Sequence, residues 1–210
     1  MSTSGEEVAT PPDAAAFERC LGVGGVAVFP SDTVYGLACD PDNRDAVARL
    51  YALKGRAPRK PSAVMFFDAG LALAALPELG ARTRALLERL LPGGVTVLLP
   101  NPRGRFPLAG GDALGLRVPD VPALAAVRRP VLQSSANAAG APDARRIEDV
   151  PAAIRAGADL VIDAGELPGT PSTVIDLRGF ESTGDWAVVR AGAVSAEAVE
   201  RAVAGGTVAP

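Results

Sequence analysis

Four short polar segments carry the side chains of this sequence that could perform chemistry, and each follows or interrupts an apolar run. Residues 30–37 (PSDTVYGL) place two hydroxyl groups beside a carboxylate and a tyrosine, a set that could hold a small zwitterion. The other reading of this segment is an ordinary turn capped by its aspartate, Asp32. Because strand ends are where a rigid scaffold presents functional groups, all four segments are candidate site elements.

The second segment, residues 54–61 (KGRAPRKP), is basic. It places four cations in seven residues, although the whole chain has a net charge of −3. Arginine and lysine are the natural partners of phosphate oxygens, and the glycine and prolines shape the backbone that carries them. The segment therefore indicates either a positioned phosphate-binding loop or a solvated basic surface.

The third and fourth segments surround polar groups with small or apolar residues. Arg117 lies in residues 114–119 (LGLRVP), where a guanidinium is costly to bury unless it has a partner. It is either a clamp for a substrate carboxylate or an edge residue whose charge reaches solvent. Residues 134–140 (SSANAAG) predict a tight polar turn, which would either direct backbone N–H groups at an anion or cap a helix.

What the sequence lacks narrows the chemistry. It contains no histidine, which excludes Ser-His-Asp triads, Cys-His dyads and histidine metal ligands. It has neither the G-x-x-x-x-G-K-[ST] pattern of P-loop proteins nor a G-x-G-x-x-G fingerprint after a strand. Any reaction must therefore use lysine, arginine, hydroxyl, amide or carboxylate groups, or a bound ion.

Length and composition describe the scaffold that must position these groups. The 210 residues suffice for one domain, and 48% hydrophobic and 21% charged residues are ordinary for a globular protein. Cys20 and Cys39 are too few for a disulfide scaffold and indicate buried thiols in a reducing compartment. No apolar run approaches the ~20 residues of a membrane span, and the acidic N-terminus lacks a signal-peptide pattern. We expect a cytoplasmic protein with a flexible segment at 1–12 and a single domain at 13–210.

Apolar periodicity and turn residues predict alternating helices and strands. Helices are predicted at 13–20, 43–52, 71–76, 81–91, 121–127, 147–156 and 195–203. Strands are predicted at 26–30, 63–67, 95–99, 114–119, 130–135, 160–163, 172–177 and 187–190. Because many strands follow one another without an intervening helix, the predicted fold class is α/β (α+β), a twisted sheet of mixed parallel and antiparallel strands flanked by helices.

Taken together and in order, these segments resemble the YrdC/TsaC family of threonylcarbamoyl-AMP synthases, in its short, single-domain form. The resemblance runs from about residue 27 to residue 192. Its motifs are 30–37, Lys54-Gly55-Arg56 with Pro61, 92–96 (PGGVT), 116–119 (LRVP), 134–137 (SSAN) with Gly140, and 171–176 (PSTVID). Each motif is short, and their shared order is what makes the resemblance specific.

The resemblance implies a YrdC-like fold with a concave basic cleft that binds ATP, L-threonine and bicarbonate, with Mg²⁺ accompanying the ATP. It implies an L-threonylcarbamoyladenylate synthase, a nucleotidyltransferase that forms threonylcarbamoyl-AMP and pyrophosphate for the threonylcarbamoyladenosine modification of tRNA. Its partners would then include tRNA and the tRNA threonylcarbamoyl-transfer machinery, with no role for a membrane.

The resemblance also assigns roles to individual residues. Lys54 and Arg56 match the K-x-R motif of the family and are the predicted catalytic residues. The predicted threonine-binding residues are Thr33, Arg117, Ser135 and Ser172, and the predicted ATP-binding residues are Lys54, Arg56, Asn137, Arg145 and Arg190. No residue is predicted to ligate a metal. A general base is not identified, since Asp32 is either a base or a group that orients its loop.

The sequence departs from the family pattern at five positions, which are Met65, Gly94, Ala113, Arg145 and Ala191. These departures keep a catalytically degenerate paralogue as an alternative. A second alternative is an RNA- or tRNA-binding module whose basic loop contacts phosphates, although the negative net charge and 4% aromatic content argue against it. A third is a paralogue with another carbamoyl chemistry, but the cysteine clusters of the related hydrogenase-maturation proteins are absent from the sequence.

Overall fold

A single large sheet organises the chain. The computed structural model describes residues 12–55 and 62–206. Its strands are β1 (Ala27–Pro30), β2 (Tyr35–Cys39), β3 (Ala63–Met65), β4 (Val95–Pro100), β5 (Ala113–Arg117), β6 (Val131–Ser135), β7 (Leu160–Val161), β8 (Thr173–Asp176) and β9 (Ala187–Arg190). Within the described residues these strands form one nine-stranded sheet, in the order β7-β1-β2-β6-β3-β5-β4-β8-β9.

The strand pairing is mixed, as the sequence predicts. The antiparallel pairs are β1–β2, β2–β6, β3–β6, β4–β5 and β8–β9. The parallel pairs are β1–β7, β3–β5 and β4–β8. The predicted fold class, a mixed sheet flanked by helices, is therefore confirmed.

The helices are α1 (Pro12–Gly22), α2 (Arg44–Lys54), α3 (Ala69–Ala75), α4 (Ala81–Leu90), α5 (Ala152–Gly157), α6 (Phe180–Thr183) and α7 (Ala196–Val203). Both ends of α2 are capped. The Asn43 side chain accepts hydrogen bonds from the backbone N–H groups of Asp45 and Ala46, and Gly55 ends the helix in a left-handed conformation at φ 63°. These caps fix the place of Lys54, the last residue of α2.

One face of the sheet, called here the covered face, lies under most of the helices. Side chains from strands β1 to β6 and β8 point to this face and pack with apolar residues of α2, α4, α5, α6 and α7. Representative strand residues are Val28, Leu37, Val64, Leu116 and Leu132, all without solvent exposure. Burial of this apolar area is the main stabilising contribution to the fold.

The other face, called here the open face, is only partly covered. Phe29, Met65 and Val131 pack against Phe17 of α1 and the 3₁₀ turn Pro122–Leu124. Because strand side chains alternate between faces, Ala63 and Gln133 follow Met65 and Val131 on the same side. In the part of the chain that the structure describes, these next positions line a cleft instead of a second core.

Two predicted helices differ from the structure, and two elements of the structure have no counterpart in the prediction. β2 was not predicted, and α6 was also missed. The predicted helix at 121–127 is only a 3₁₀ turn, and the predicted helix at 147–156 is a 3₁₀ turn followed by α5. Pro151 accounts for the second change, since proline disfavours helix at the residue before it. Pro122 stands at the first position of its turn, where a helix tolerates proline, and does not explain the first change. Among the described residues, no helix has the length and apolar character to cross a bilayer.

Candidate active site

The uncovered part of the open face is a cleft of about 500 Å³. Small and apolar side chains form its floor, including Ala63, Leu98, Gly115 and Val174. These residues lie on neighbouring strands and pair in register, Ala63 with Gly115 and Gly115 with Leu98. A Cβ atom on Gly115 would lie 3.2 Å from Ala63 Cα, which is a tight contact. Glycine at this position therefore leaves the floor of the cleft without a side chain.

Lys54 stands behind one wall of this cleft, where α2 meets the turn that follows β6. Its Nζ lies 2.6 Å from the Ser135 carbonyl oxygen and 3.0 Å from Ser135 Oγ. It also lies 2.6 Å from Asn137 Oδ1, and the backbone N–H of Ala139 donates to the Lys54 carbonyl oxygen. The predicted K-x-R lysine and the predicted S-x-N residues therefore form one hydrogen-bonded unit.

The remaining cations of the basic segment, Arg56, Arg59 and Lys60, lie outside the described residues. Their predicted role in phosphate binding stays a prediction.

Arg117 lies at the end of β5 and is almost fully buried, with 3% of its surface exposed. Its Nη2 donates to Asp32 Oδ1 and, at 2.7 Å, to Thr33 Oγ1. Asp32 and Thr33 belong to the turn between β1 and β2, so this turn reaches across to β5. The third predicted segment is therefore not a solvated edge, because its arginine is buried and paired.

The charge of Arg117 is held in an unusual environment. Burial lowers the pKa of its guanidinium, Asp32 opposes this effect, and Arg190 adds a further lowering through charge repulsion. The Nε of Arg117 is buried and has no hydrogen-bond partner in the described structure. An anionic ligand placed between Arg117 and Arg190 would therefore be stabilised by both charges.

Ser172 and Arg190 form the wall opposite Lys54. Thr96 Oγ1 and Ser172 Oγ are 2.8 Å apart, and Arg190 Nη2 donates to the Ser172 carbonyl oxygen at 2.7 Å. Gly192 permits this arrangement, because a Cβ at that position would lie 2.2 Å from the Pro171 carbonyl oxygen. Glycine is therefore required at position 192 of the Arg190-Ala191-Gly192 motif, because a larger residue would clash with the backbone of Pro171.

The predicted site residues are distributed as follows. Ser135, Arg117, Ser172 and Arg190 line the cleft. Lys54, Asn137 and Thr33 stand directly behind them and are hydrogen-bonded to Ser135 or Arg117. Arg145 lies outside the lining: its Nη2 is 2.9 Å from Glu166 Oε1, and its side chain covers Gly169.

Two of the departures from the family pattern fall on the open face. Met65 is fully buried in the core beneath α1, whereas Ala113 lines the cleft.

Tyr35, read from the sequence as a candidate ligand contact, has a different role. Its hydroxyl donates to Asp163 Oδ1 and the Gly165 carbonyl oxygen, both at 2.9 Å, and thus ties β2 to the 163–165 loop.

Several lining residues were not predicted, among them Thr96, Gln133, Asp112 and Asp143. The alternation of β6, in which Gln133 lies two residues from Ser135, could have indicated Gln133.

The cleft carboxylates are the groups that bear on a metal ion. Among the described residues, no group of three or more Cys, Asp or Glu side chains is placed to hold a metal ion. Asp112 and Asp143 are the carboxylates at the cleft, and one or two carboxylates with substrate phosphates are a common way to hold Mg²⁺.

Known proteins are similar to this chain in sequence. The Sua5/YciO/YrdC family model, described as Telomere recombination, matches residues 19–192. A threonylcarbamoyl-AMP synthase of Chromohalobacter salexigens is 38% identical over 167 residues, which are 76% of this chain and 89% of that relative.

Solved structures are similar in fold. The Sua5 of P. abyssi complexed with L-threonine has a TM-score of 0.79 at 27% identity, with 93% of this chain and 58% of that chain covered. The E. coli YciO structure has a TM-score of 0.69 at 26% identity, with 84% and 87% covered. This chain thus spans less than two thirds of the P. abyssi protein. With a family match along most of its length and this fold, the chain is a member of the Sua5/YciO/YrdC family.

Proposed function

We propose that this protein is a threonylcarbamoyl-AMP synthase, which forms L-threonylcarbamoyl-AMP and pyrophosphate from L-threonine, bicarbonate and ATP. The observation that carries the proposal is the convergence of the family's motifs on one cleft. Lys54, Arg117, Ser135, Ser172 and Arg190 come from distant parts of the sequence and meet around the same apolar floor. Two relatives that are each 38% identical to this chain carry this activity in their names.

The amino acid is proposed to bind at the Arg117 end. A guanidinium forms paired hydrogen bonds with a carboxylate, and Arg117 lines the cleft with an Nε that has no partner among the described residues. Thr33 and Ser172 supply hydroxyl groups near this end. L-threonine is the ligand of the similar P. abyssi structure, which supports this assignment.

The nucleotide is proposed to bind along the Lys54 side. Lys54 and Asn137 are hydrogen-bonded to each other and to Ser135, which stays assigned to threonine. Arg190 would contribute a second positive charge from the opposite wall of the cleft. Arg56 is assigned to the phosphates because it completes the K-x-R motif. Arg145 has a weaker case, because it would have to leave Glu166 to reach a ligand in the cleft.

The reaction needs no protein nucleophile. The threonine amine and bicarbonate give a carbamate with loss of water. A carbamate oxygen then attacks the α-phosphorus of ATP, the bond from this phosphorus to the bridging oxygen breaks, and pyrophosphate leaves. The protein's task is to position the reactants and to stabilise the developing charge, which Lys54 and the arginines are placed to do.

Mg²⁺ is the proposed cofactor, entering with ATP, and it would neutralise the charge of the phosphates. Asp112 and Asp143 are the cleft carboxylates that could hold it through the nucleotide. Because the product serves tRNA modification in this proposal, tRNA and its threonylcarbamoyl-transfer machinery are the proposed partners, and the cytoplasm is the proposed location.

Pyrophosphate release from ATP tests the proposal. The purified protein is incubated with ATP, bicarbonate and Mg²⁺, with L-threonine, L-serine or no amino acid, and the adenylate is identified by mass spectrometry. We expect release that depends on threonine and bicarbonate. A folded protein that releases no pyrophosphate with threonine would contradict the proposal, and salt-dependent tRNA binding would then test the RNA-binding alternative.

A further inference from the structure

Asp32 stands behind the cleft lining, where it is bonded to Arg117, and the sequence alone leaves its role open. It lies in the turn between β1 and β2, next to Thr33, and its side chain is 12% exposed. Among the described residues it is the only carboxylate within ion-pair distance of Arg117. The choice between a proton acceptor and an orienting group can be made from the contacts of its two oxygens.

Both carboxylate oxygens of Asp32 already accept hydrogen bonds. Oδ1 accepts from Arg117 Nη2, and Oδ2 accepts from the backbone N–H of Asp120 at 3.2 Å. Arg117 and Asp120 lie three residues apart, at and just beyond the end of β5. Asp32 therefore bridges the turn to this end of β5, and both of its oxygens are engaged in holding that bridge.

The turn that carries Asp32 is itself held in place. Ser31 Oγ donates to the Val34 carbonyl oxygen at 2.7 Å and accepts from the backbone N–H groups of Thr33 and Val34. The position of the Asp32 backbone is therefore set by the turn before any ligand arrives. The guanidinium it meets is buried, so its orientation depends on this one carboxylate and the Thr33 hydroxyl.

We propose that Asp32 is a positioning residue: it is the counter-ion that orients the Arg117 guanidinium so that its remaining N–H groups receive the carboxylate of the amino-acid substrate. The proposal rests on the function proposed above. It assigns Asp32 no proton transfer. Because Arg117 and the Asp120 backbone N–H hold both Asp32 oxygens, the substrate carboxylate would enter beside Asp32 and not in its place.

The test is the Asp32→Asn variant, which keeps the shape of the side chain and removes its charge. We expect the KM for threonine to rise about tenfold or more, because Arg117 is no longer held, while the KM for ATP stays within about twofold. The Asp42→Asn variant is the matched control, because it removes the same charge from an exposed position. A general base would instead give a kcat loss of about 10²-fold or more, an unchanged KM and loss of the acid limb of the kcat profile, which would overturn the proposal.

Threoninamide sharpens the test because it lacks only the carboxylate charge. If Asp32 acts through Arg117 on that carboxylate, the Asp32→Asn penalty should shrink to less than about twofold with threoninamide. An equal penalty with both substrates would contradict the proposal. If Asp32→Asn does not fold, Asp32→Glu replaces it, with the expectation of a smaller effect in the same direction.

Failure of the proposed function is distinguishable from failure of this inference. Threonine binding without ATP, measured by calorimetry, tests Asp32 even if the wild-type protein releases no pyrophosphate. If threonine does not bind, the ¹⁵Nε–¹H NMR signal of Arg117 still reports on its orientation. We expect a sharp, slowly exchanging signal in the wild type and a broadened one in Asp32→Asn, and identical signals would overturn the inference.

Discussion

The two faces of the sheet are built from the same strands but from different residues. On the covered face, neighbouring strands contribute Val64, Leu116 and Leu132 to a core packed under helices. On the open face, the residues next to them in sequence are Ala63, Gly115 and Gln133, and they line the cleft. Within these three strands, alternate residues therefore serve stability and the cleft. Substitutions on the covered face should lower the free energy of unfolding, and substitutions of their neighbours on the open face should lower activity.

The largest effect is expected on the covered face. Leu116→Ala removes a fully buried side chain and should lower the free energy of unfolding by about 2–5 kcal/mol, because a cavity remains. Urea unfolding measures this change. The kcat of the folded variant at low temperature should stay near the wild-type value, and a loss of kcat without a loss of stability would contradict the separation of the two faces.

Lys54→Ala is expected to abolish most activity. Removing a preorganised cation from the cleft should lower kcat by roughly 10²- to 10³-fold, about 2.7–4 kcal/mol. Threonine-dependent pyrophosphate release measures it, with folding checked by circular dichroism. Arg44→Ala is the matched control, since it removes a positive charge from the other end of α2 at an exposed position. Near-normal turnover of Lys54→Ala would contradict the assignment.

A methyl group added to the floor should have a moderate effect. Gly115→Ala places a Cβ at 3.2–3.3 Å from Ala63 and fills part of the cleft, so kcat/KM should fall roughly five- to tenfold. The stability change should be small, because glycine weakens a strand interior and the replacement offsets the tight contact. Steady-state kinetics and thermal melting measure both effects. A large loss of stability with normal kinetics would contradict this prediction, because it would show that Gly115 belongs to the packed core and does not contact substrate.

The smallest effect is expected at the β7 edge, away from both faces. Arg49 and the Val26 backbone N–H hold the pKa of Asp159 below its usual range. A lowered native pKa stabilises the fold above the unfolded pKa of about 3.9, and this contribution is lost as the pH falls through the native value. Asp159→Asn should therefore cost less than about 1 kcal/mol at pH 7, since the pair is partly exposed, and a smaller amount at pH 2. Urea unfolding at both pH values decides this, and a penalty independent of pH would contradict it.

Most of the site could be predicted because its motifs are local, whereas much of its support could not. The residues Arg117, Ser135, Ser172 and Arg190 stand in short motifs at strand ends, and the structure places all four around one cleft. β2 (YGLAC) was missed because it has no β-branched residue, and it is a strand through its pairing with β1 and β6. Its position therefore depends on contacts that no local pattern contains.

Long-range contacts also explain what sequence reasoning left open. The bridge from Asp32 to Arg117 and Asp120 spans more than 80 residues, so it cannot be seen in any window of the sequence. The same holds for the pairing of Arg145 with Glu166, which places this arginine outside the cleft lining. The residue types indicate that the site binds anions, but the ion-pair partners of Arg117 and Arg145 are visible only in the folded structure.

The parallel pairing of β1 with β7 has a consequence for how the protein is made. Ala27 pairs with Leu160, so β1 leaves the ribosome long before its outer neighbour is synthesised. At a synthesis rate of about 5–20 residues per second, this interval is on the order of ten seconds. During this time the outer side of β1 is an unpaired strand edge, the kind of surface on which nascent chains associate. The two residues of β7 therefore pair with the outer edge of β1, which stays unpaired until most of the chain has been synthesised.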